Sequence, residues 1–323
     1  MSEMVVQPDF TVVIPCYNSA STIAEVISRV TEFFDAAGHP FEIVCVDDAS
    51  PDDVADVILK IRERDKRVCL IRHHRNYGQH RSVLTGMRYV RGKFAVTMDD
   101  DLQNPPEEIQ KLIDGIGDAD VAIGMPENKQ HASYRNLGSN LVNGIVKLAF
   151  KPPPGYGASS FRLIRRTVVD QMANMRTVYP HLGSIILSVT RRIVQVDVRH
   201  EPRRVGRSNY NVRKLISLAG NLLINYTKLP MRVMTLTGLA TAFLALAFSV
   251  YIIVLKVVEQ QHYDAGWPSV IVAIAFFGGL NLVSLSVIGE YIIRLLSETS
   301  GASQVVLRAE HFGDDSEDPH GAS

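Results

Sequence analysis

The chain has 323 residues, 46% of them hydrophobic, enough to bury a full domain core with a substantial remainder. Its formal net charge is +0, with 34 basic and 34 acidic residues, which removes any bulk electrostatic argument for a nucleic-acid partner. The 3 cysteines, Cys16, Cys45 and Cys69, lie within or beside apolar runs and read as buried reduced thiols, which excludes a disulfide framework or a Cys-x-x-Cys metal site. No apolar run preceded by basic residues opens the chain, so no secretory leader is expected.

In chain order, β-rich runs fall at 10–14, 41–46, 68–72, 94–98 and 120–123. Helix-period segments at 21–36 and 54–64 separate the first three. This rhythm predicts an α/β fold, a mostly parallel sheet flanked by helices. The run at 94–98 leads into Asp99-Asp-Asp-Leu-Gln-Asn-Pro-Pro-Glu-Glu108. In an extended chain, residues two apart face the same side, so Asp99 and Asp101 converge, with Gln103 following if the backbone stays extended. Two carboxylates and an amide oxygen suit Mg²⁺ or Mn²⁺ better than zinc. Asp100 points the other way, towards packing or a ligand. Asn104 reads as a helix N-cap, Pro105 as the first helical residue and Glu107 as the carboxylate reaching back. A solvated acidic turn is the plain alternative.

A second region, about 133–204, mixes helix with short strands. Beyond it, 233–255 and 268–289 contain no charged residue. Each exceeds the ~20 residues needed to cross a bilayer. They predict two transmembrane helices, about 233–257 and 268–293. Arg203, Arg204, Arg207, Arg213, Lys214, Lys228 and Arg232 precede the first, and Arg294 and Arg308 follow the second. The connecting loop sets Lys256 against Glu259 and Asp264, so the positive-inside rule puts both termini in the cytosol of an inner-membrane protein. The expected organisation is a cytosolic domain over 1–211, a juxtamembrane interfacial helix over 212–231, the hairpin over 232–297 and a cytosolic tail over 298–323, acidic and disordered from 310. Gly278, Gly279 and Ser284 in the second span allow either close helix contact in a homo-oligomer or a lipid-facing surface.

Four stretches occur in a fixed order: Thr11-Val-Val-Ile-Pro-Cys-Tyr-Asn18, Val46-Asp-Asp-Ala-Ser-Pro-Asp-Asp53, Asn76-Tyr-Gly-Gln-His80 and Asp99-Asp-Asp-Leu-Gln-Asn-Pro-Pro-Glu-Glu-Ile109. Together they resemble the inverting glycosyltransferases of family 2, with the A-type nucleotide-sugar-binding fold. Arg203-x-x-Gly206-x-Ser208-x-Tyr210 and the two spans narrow the likeness to the polyprenyl-phosphate glycosyltransferases. The second pair of stretches is most similar to the undecaprenyl-phosphate 4-deoxy-4-formamido-arabinose transferase branch. The likeness covers roughly 10–300.

The resemblance implies a nucleotide-sugar donor, UDP-linked by default, and a polyprenyl (undecaprenyl or dolichyl) phosphate acceptor at a lipid bilayer. It implies nucleotide contacts from Pro15, Tyr17, Asn18, Asp47, Asp48 and Asp100, and a metal on Asp99, Asp101 and Gln103. The acids at 48–53 can also start the next helix, Asp52 and Asp53 suiting its first turn. The acceptor phosphate would be held by Arg135, Arg162, Arg203 and Ser208, because a guanidinium grips phosphate with two hydrogen bonds. Asp99, Asp101 and Arg203 are thus the expected catalytic residues. His73, His74 and His80 read as a polar loop near the phosphates. A lipid phosphate, with a second pKa near ~6, is already largely dianionic at neutral pH and needs no base to attack. Relatives often carry an acid before the Phe-Arg-Leu element, and Gly155-Tyr-Gly-Ala-Ser-Ser160 has none. A processive polysaccharide synthase is the enzymatic rival, weakened by a lone Trp267 and only two spans. A non-catalytic membrane scaffold is the other.

Overall fold

The computed structural model describes residues 7–127, 152, 156–157, 159–175, 177, 180–201, 229–258, 267–299 and 305–312. Arg135, Arg203, Arg204, Ser208 and Tyr210 lie outside the described residues, as does the expected interfacial helix up to 228.

Five strands follow the apolar runs: β1 (Phe10–Cys16), β2 (Phe41–Asp47), β3 (Val68–His73), β4 (Phe94–Thr97) and β5 (Val121–Pro126). Three more are β6 (Arg162–Arg165), β7 (Ile193–Val198) and β8 (Leu307–His311). They form one 8-stranded sheet in the order β7-β5-β6-β4-β1-β2-β3-β8. The β1–β2, β1–β4, β2–β3 and β5–β7 pairs are parallel, while β6 runs antiparallel to β4 and β5, and β8 antiparallel to β3. The sheet is therefore mixed, more so than the opening rhythm predicts.

Strand residues alternate between two buried layers, as expected for strands covered on both faces. Val12, Ile14 and Cys16 face α1 (Ile23–Ala37), α2 (Val54–Arg64) and α4 (Ile109–Ile116). Val13 faces α3 (Gln79–Met87), α5 (Arg166–Ala173) and α6 (Leu182–Val189). Gly86 lets α3 lie close on the sheet, since a Cβ there would sit 2.4 Å from Val13 Cγ1. Helix α1 stops at Gly38, whose φ of 68° is the left-handed C-cap that glycine takes without strain. All three cysteines are buried and free.

Two local expectations are corrected. Asn104 caps no helix: a short 3-10 turn starts at Pro106, after Pro105 in extended geometry, and runs into α4. Glu107 instead pairs with Arg29 through two bonds of 3.0 and 2.7 Å. The C-terminal tail is also not uniformly disordered. Leu307–His311 is a strand, its Glu310 sits opposite Ile71, and Phe312 stacks on Tyr89 at 4.7 Å.

The chain divides into two compact units. One comprises 1–140, 150–211 and 304–323 and holds the sheet; the other comprises 141–149 and 212–303. The second contains the helices α7 (Leu229–Val258) and α8 (Trp267–Thr299), of 30 and 33 residues. Leu236, Leu239 and Phe243 of α7 and Ile274, Phe276 and Leu285 of α8 are exposed. Among the described residues no helix is long and apolar enough to cross a membrane; several side chains within α7 and α8 are not among those described.

Candidate active site

The carboxylates gather where β1, β2 and β4 end, the edge at which open α/β sheets bind ligands. Each of the three exits carries a non-glycine residue in the left-handed region: Asn18 (φ 57°), Ala49 (φ 53°) and Leu102 (φ 60°). The cost is tolerated because hydrogen bonds knit the loops together. After β1, Tyr17 N–H donates to Asp100 Oδ2 at 3.1 Å and Asn18 N–H to Ser50 Oγ at 2.5 Å. Ala20 N–H donates to Asp52 Oδ2 at 2.8 Å. Asp52 is thus a brace between two loops; α2 begins at Val54 with Asp53 at its N-cap position. Thr22 Oγ1 donates to the Asp100 carbonyl at 2.7 Å, fixing the acid loop on the start of α1.

Strand β4 ends at Thr97, so the acids sit in a turn rather than in extended chain. Asp99, partly buried, accepts from Ser160 Oγ at 2.6 Å and from Gln79 Nε2 at 2.5 Å. Burial raises its pKa and the Asp101 charge adds to that, against the hydrogen bond from Ser160. Asp100 turns to the β1 loop; burial pushes its carboxyl up to about 6, opposed by the hydrogen bond from Tyr17 N–H. Asp101 Oδ1 accepts from Gln103 N–H at 3.1 Å, a local Asx turn.

Leu102 bends the backbone, which removes the extended geometry that would align Gln103 with Asp99 and Asp101. The Gln103 backbone carbonyl accepts from Glu201 N–H at 2.8 Å. Among the described residues no group of three or more His, Cys, Asp or Glu forms a metal cluster. Two mutually repelling carboxylates nonetheless fit a hard divalent cation that fills its other positions with substrate oxygens and water.

Asp47 and Asp48 close β2 and are both buried. Asp47 accepts from Ser50 N–H at 2.8 Å and from Arg72 Nε at 3.2 Å. Asp48 takes Tyr77 N–H at 2.8 Å, Gly78 N–H at 2.7 Å and His73 Nδ1 at 2.8 Å. Although burial alone would raise it, the His73 and backbone bonds hold Asp48 below the ordinary carboxylate range. Asp48 is therefore the clamp of the loop before α3, and Asp47 holds the turn at Ser50. His73 belongs to β3 and the core, not to a loop. Pro15 is buried in register with Val46, while Tyr17 is 49% exposed beside the acids.

The structure joins Asp99 to Gln79, Ser160 and the neighbourhood of Arg162, a grouping the spacing does not show. Gln79 is part of the Asn76-Tyr-Gly-Gln-His stretch, which was the available signal. Ser160 lies 61 residues from Asp99, at the end of the Gly155–Ser160 segment before the Phe-Arg-Leu element, and nothing in the spacing pairs the two. Past β7, Arg199 Nε donates to the buried Glu108 at 2.6 Å and His200 Nδ1 lies 3.3 Å from Asn104 Oδ1. With the Glu201–Gln103 bond, these tie the chain entering the basic segment to the chain leaving the acids.

This sheet and its acidic edge define an A-type nucleotide-sugar transferase fold. A crystal structure of glucosyl-3-phosphoglycerate synthase from Mycobacterium tuberculosis, with Mn²⁺, UDP and glucosyl-3-phosphoglycerate, matches it with a TM-score of 0.51 at 16% identity, over 67% of this chain and 78% of that one. The family model for glycosyl transferase family 2 matches residues 11–172, and the chain belongs to that family. Among its relatives, the undecaprenyl-phosphate 4-deoxy-4-formamido-L-arabinose transferase of Edwardsiella ictaluri (strain 93-146) is 32% identical over 292 residues, covering 89% of this chain and 90% of that protein. The transferase of the same name from Sodalis glossinidius (strain morsitans) is 30% identical, with 89% of each chain covered.

Proposed function

We propose that this glycosyltransferase moves a sugar from a nucleotide-sugar donor, UDP-linked, to a polyprenyl phosphate, and that it does so at the cytosolic face of the inner membrane. The carrying observation is the turn after β4, where the charges of Asp99 and Asp101 act on one another and Asp100 is locked to the β1 loop. The names of the relatives support the acceptor class. Asp99 and Asp101 would hold Mg²⁺ or Mn²⁺, which when bound neutralises charge on the departing nucleoside diphosphate. Tyr17, Asn18 and Asp47 line the nucleoside side. The lipid phosphate forms a bond to the anomeric carbon as the bond to the donor's diphosphate breaks, giving inversion without a protein base. Arg162, with Arg135 and Arg203, offers the countercharge, and Ser208 a hydroxyl donor.

The membrane reading draws on the uncharged stretches 233–255 and 268–289 in α7 and α8. At ~1.5 Å per residue, helices of 30 and 33 residues exceed a ~30 Å hydrocarbon layer. The chain leaves the sheet unit before α7 and rejoins it at β8, which an even number of crossings permits. The test is a panel of radiolabelled UDP-, GDP- and dTDP-sugars with polyprenyl phosphate and Mg²⁺. One donor should give a lipid-soluble, EDTA-sensitive product. Nucleotide release without labelled lipid would replace the acceptor, and no turnover at all would favour a scaffold.

A further inference from the structure

Beside the acids, two buried nitrogens have no partner among the described residues, and they belong to one neighbourhood. Arg162, on β6, is only 5% exposed, yet its Nε has no hydrogen-bond partner. The nearby charge that favours its guanidinium is Asp99, which accepts from Ser160 and Gln79 and acts on Arg162 without a hydrogen bond. The second orphan is His80 Nδ1, in the first turn of α3. Its ring lies 5.2 Å from that of His181, edge-on at 70°.

His181 is oriented from behind. Its Nδ1 accepts from Ser184 N–H at 3.1 Å, capping α6, and lies 2.9 Å from Ser184 Oγ. With Nδ1 as acceptor, the proton of the neutral ring is on Nε2, free to donate. Burial, then the charge of Arg162, keep His181 down at about 4. His80 is held at about 3 by burial, then by His181 and Arg162. Both imidazoles are therefore neutral hydrogen-bonding groups at physiological pH.

A buried guanidinium whose Nε has no acceptor is costly, and the cost falls when an anion enters. We propose that Arg162, His80 and His181 form a preformed oxyanion subsite beside Asp99 that takes a phosphate group of a substrate. Arg162 supplies the charge, and the two imidazoles add direction without adding further positive charge. Nothing in the sequence motifs joins these three, which come from β6, α3 and the cap of α6. The assignment rests on the glycosyltransferase reading, in which phosphate reaches this edge either as the lipid monoester or as the donor's diphosphate.

The test uses the full-length protein in detergent micelles, with R162Q, R162K, H80Q and H181N. Asn at 181 keeps a capping acceptor for Ser184 N–H while removing the Nε2 donor. Two readouts are needed: the rise in Tm on adding inorganic phosphate or pyrophosphate, and separate KM values for polyprenyl phosphate and nucleotide sugar. R162Q should abolish the anion-induced rise in Tm and raise one KM by about 10-fold or more, with kcat changed less and R162K partly restoring it. H80Q and H181N should raise the same KM by about 3- to 10-fold. A rise confined to the acceptor KM identifies the lipid phosphate as occupant; one confined to the donor KM identifies the diphosphate. Folded variants whose KM values and anion response all match the wild type would overturn the subsite. If R162Q does not fold, the two histidine variants decide alone. If the wild type makes no glycolipid from any donor, the transferase reading falls, and the anion-induced Tm shift still decides the subsite.

Discussion

The two ends of the same strands treat buried carboxylates in opposite ways. At the N-terminal end of β2, Glu42 is 2% exposed and fully served: Thr11 Oγ donates at 2.6 Å, Arg91 Nε at 2.7 Å and Arg91 N–H at 3.1 Å. At the C-terminal end, Asp48 after β2 is also well served, but after β4 Asp99 and Asp100 are raised above the ordinary carboxylate range, chiefly by burial, and Arg162 is buried with an orphaned nitrogen. Among the described residues, the non-glycine residues in the left-handed region, Asn18, Ala49 and Leu102, all stand at this second end. One end is built to be stable as it stands. The other holds charge and strain that a bound cation and phosphate would relieve, which is what separates a structural carboxylate from a functional one.

The largest effect should come from the functional end. Asp101→Ala is expected to lower glycolipid formation by about 10² to 10³-fold, with Tm nearly unchanged. Equal losses of activity and stability would erase the distinction between the two ends. Glu42→Ala should do the reverse. It removes a buried acceptor from Thr11 and Arg91 and should cost about 2 kcal/mol, read in a denaturant titration, with kcat kept at temperatures well below Tm.

A smaller effect tests the strain. Ala49 occupies the left-handed region at a cost of about 1–2 kcal/mol, part of which glycine returns as unfolded-state entropy. Ala49→Gly should therefore stabilise the fold by about 0.5 kcal/mol; a destabilisation would mean the loop is not strained there.

The smallest effect is one of pH. Burial raises Glu108, but hydrogen bonds from Lys111 and Arg199 outweigh it and hold the carboxyl at about 2 against an ordinary 4.5. A depressed folded-state pKa gives stability that is complete above pH 4.5 and is lost as pH falls toward about 2. Glu108→Gln should flatten that part of the stability curve, and an unchanged slope would dismiss the contribution of the pair.

Much of this was legible beforehand because it is local. The apolar runs gave β1 to β5 to within a few residues, since strands covered on both faces must be apolar throughout. The acids after β4 and their place at a strand's end followed from the same run. Other features depend on partners far away in the chain. Strand β6, Arg162–Arg165, is four residues with arginine at both ends and is held by pairing with β4 and β5 on either side. Strand β8 alternates charge with small and apolar residues, and its core contact comes from Leu307 with the neighbouring Phe312.

The sequence by itself determined the family, the parallel half of the sheet and the acids that stand at its edge, because motif order and hydrophobic period are written along the chain. Tertiary structure decided which acid does which job. Asp48 became a clamp and Asp52 a brace because loops from other strands supplied their donors. The extended run expected from Asp99 to Gln103 is broken at Leu102, which turns the backbone. Arg162, His80 and His181 became neighbours only when β6, α3 and α6 packed on one sheet. Hydrogen bonding and burial depend on distances in space, which residue spacing does not encode.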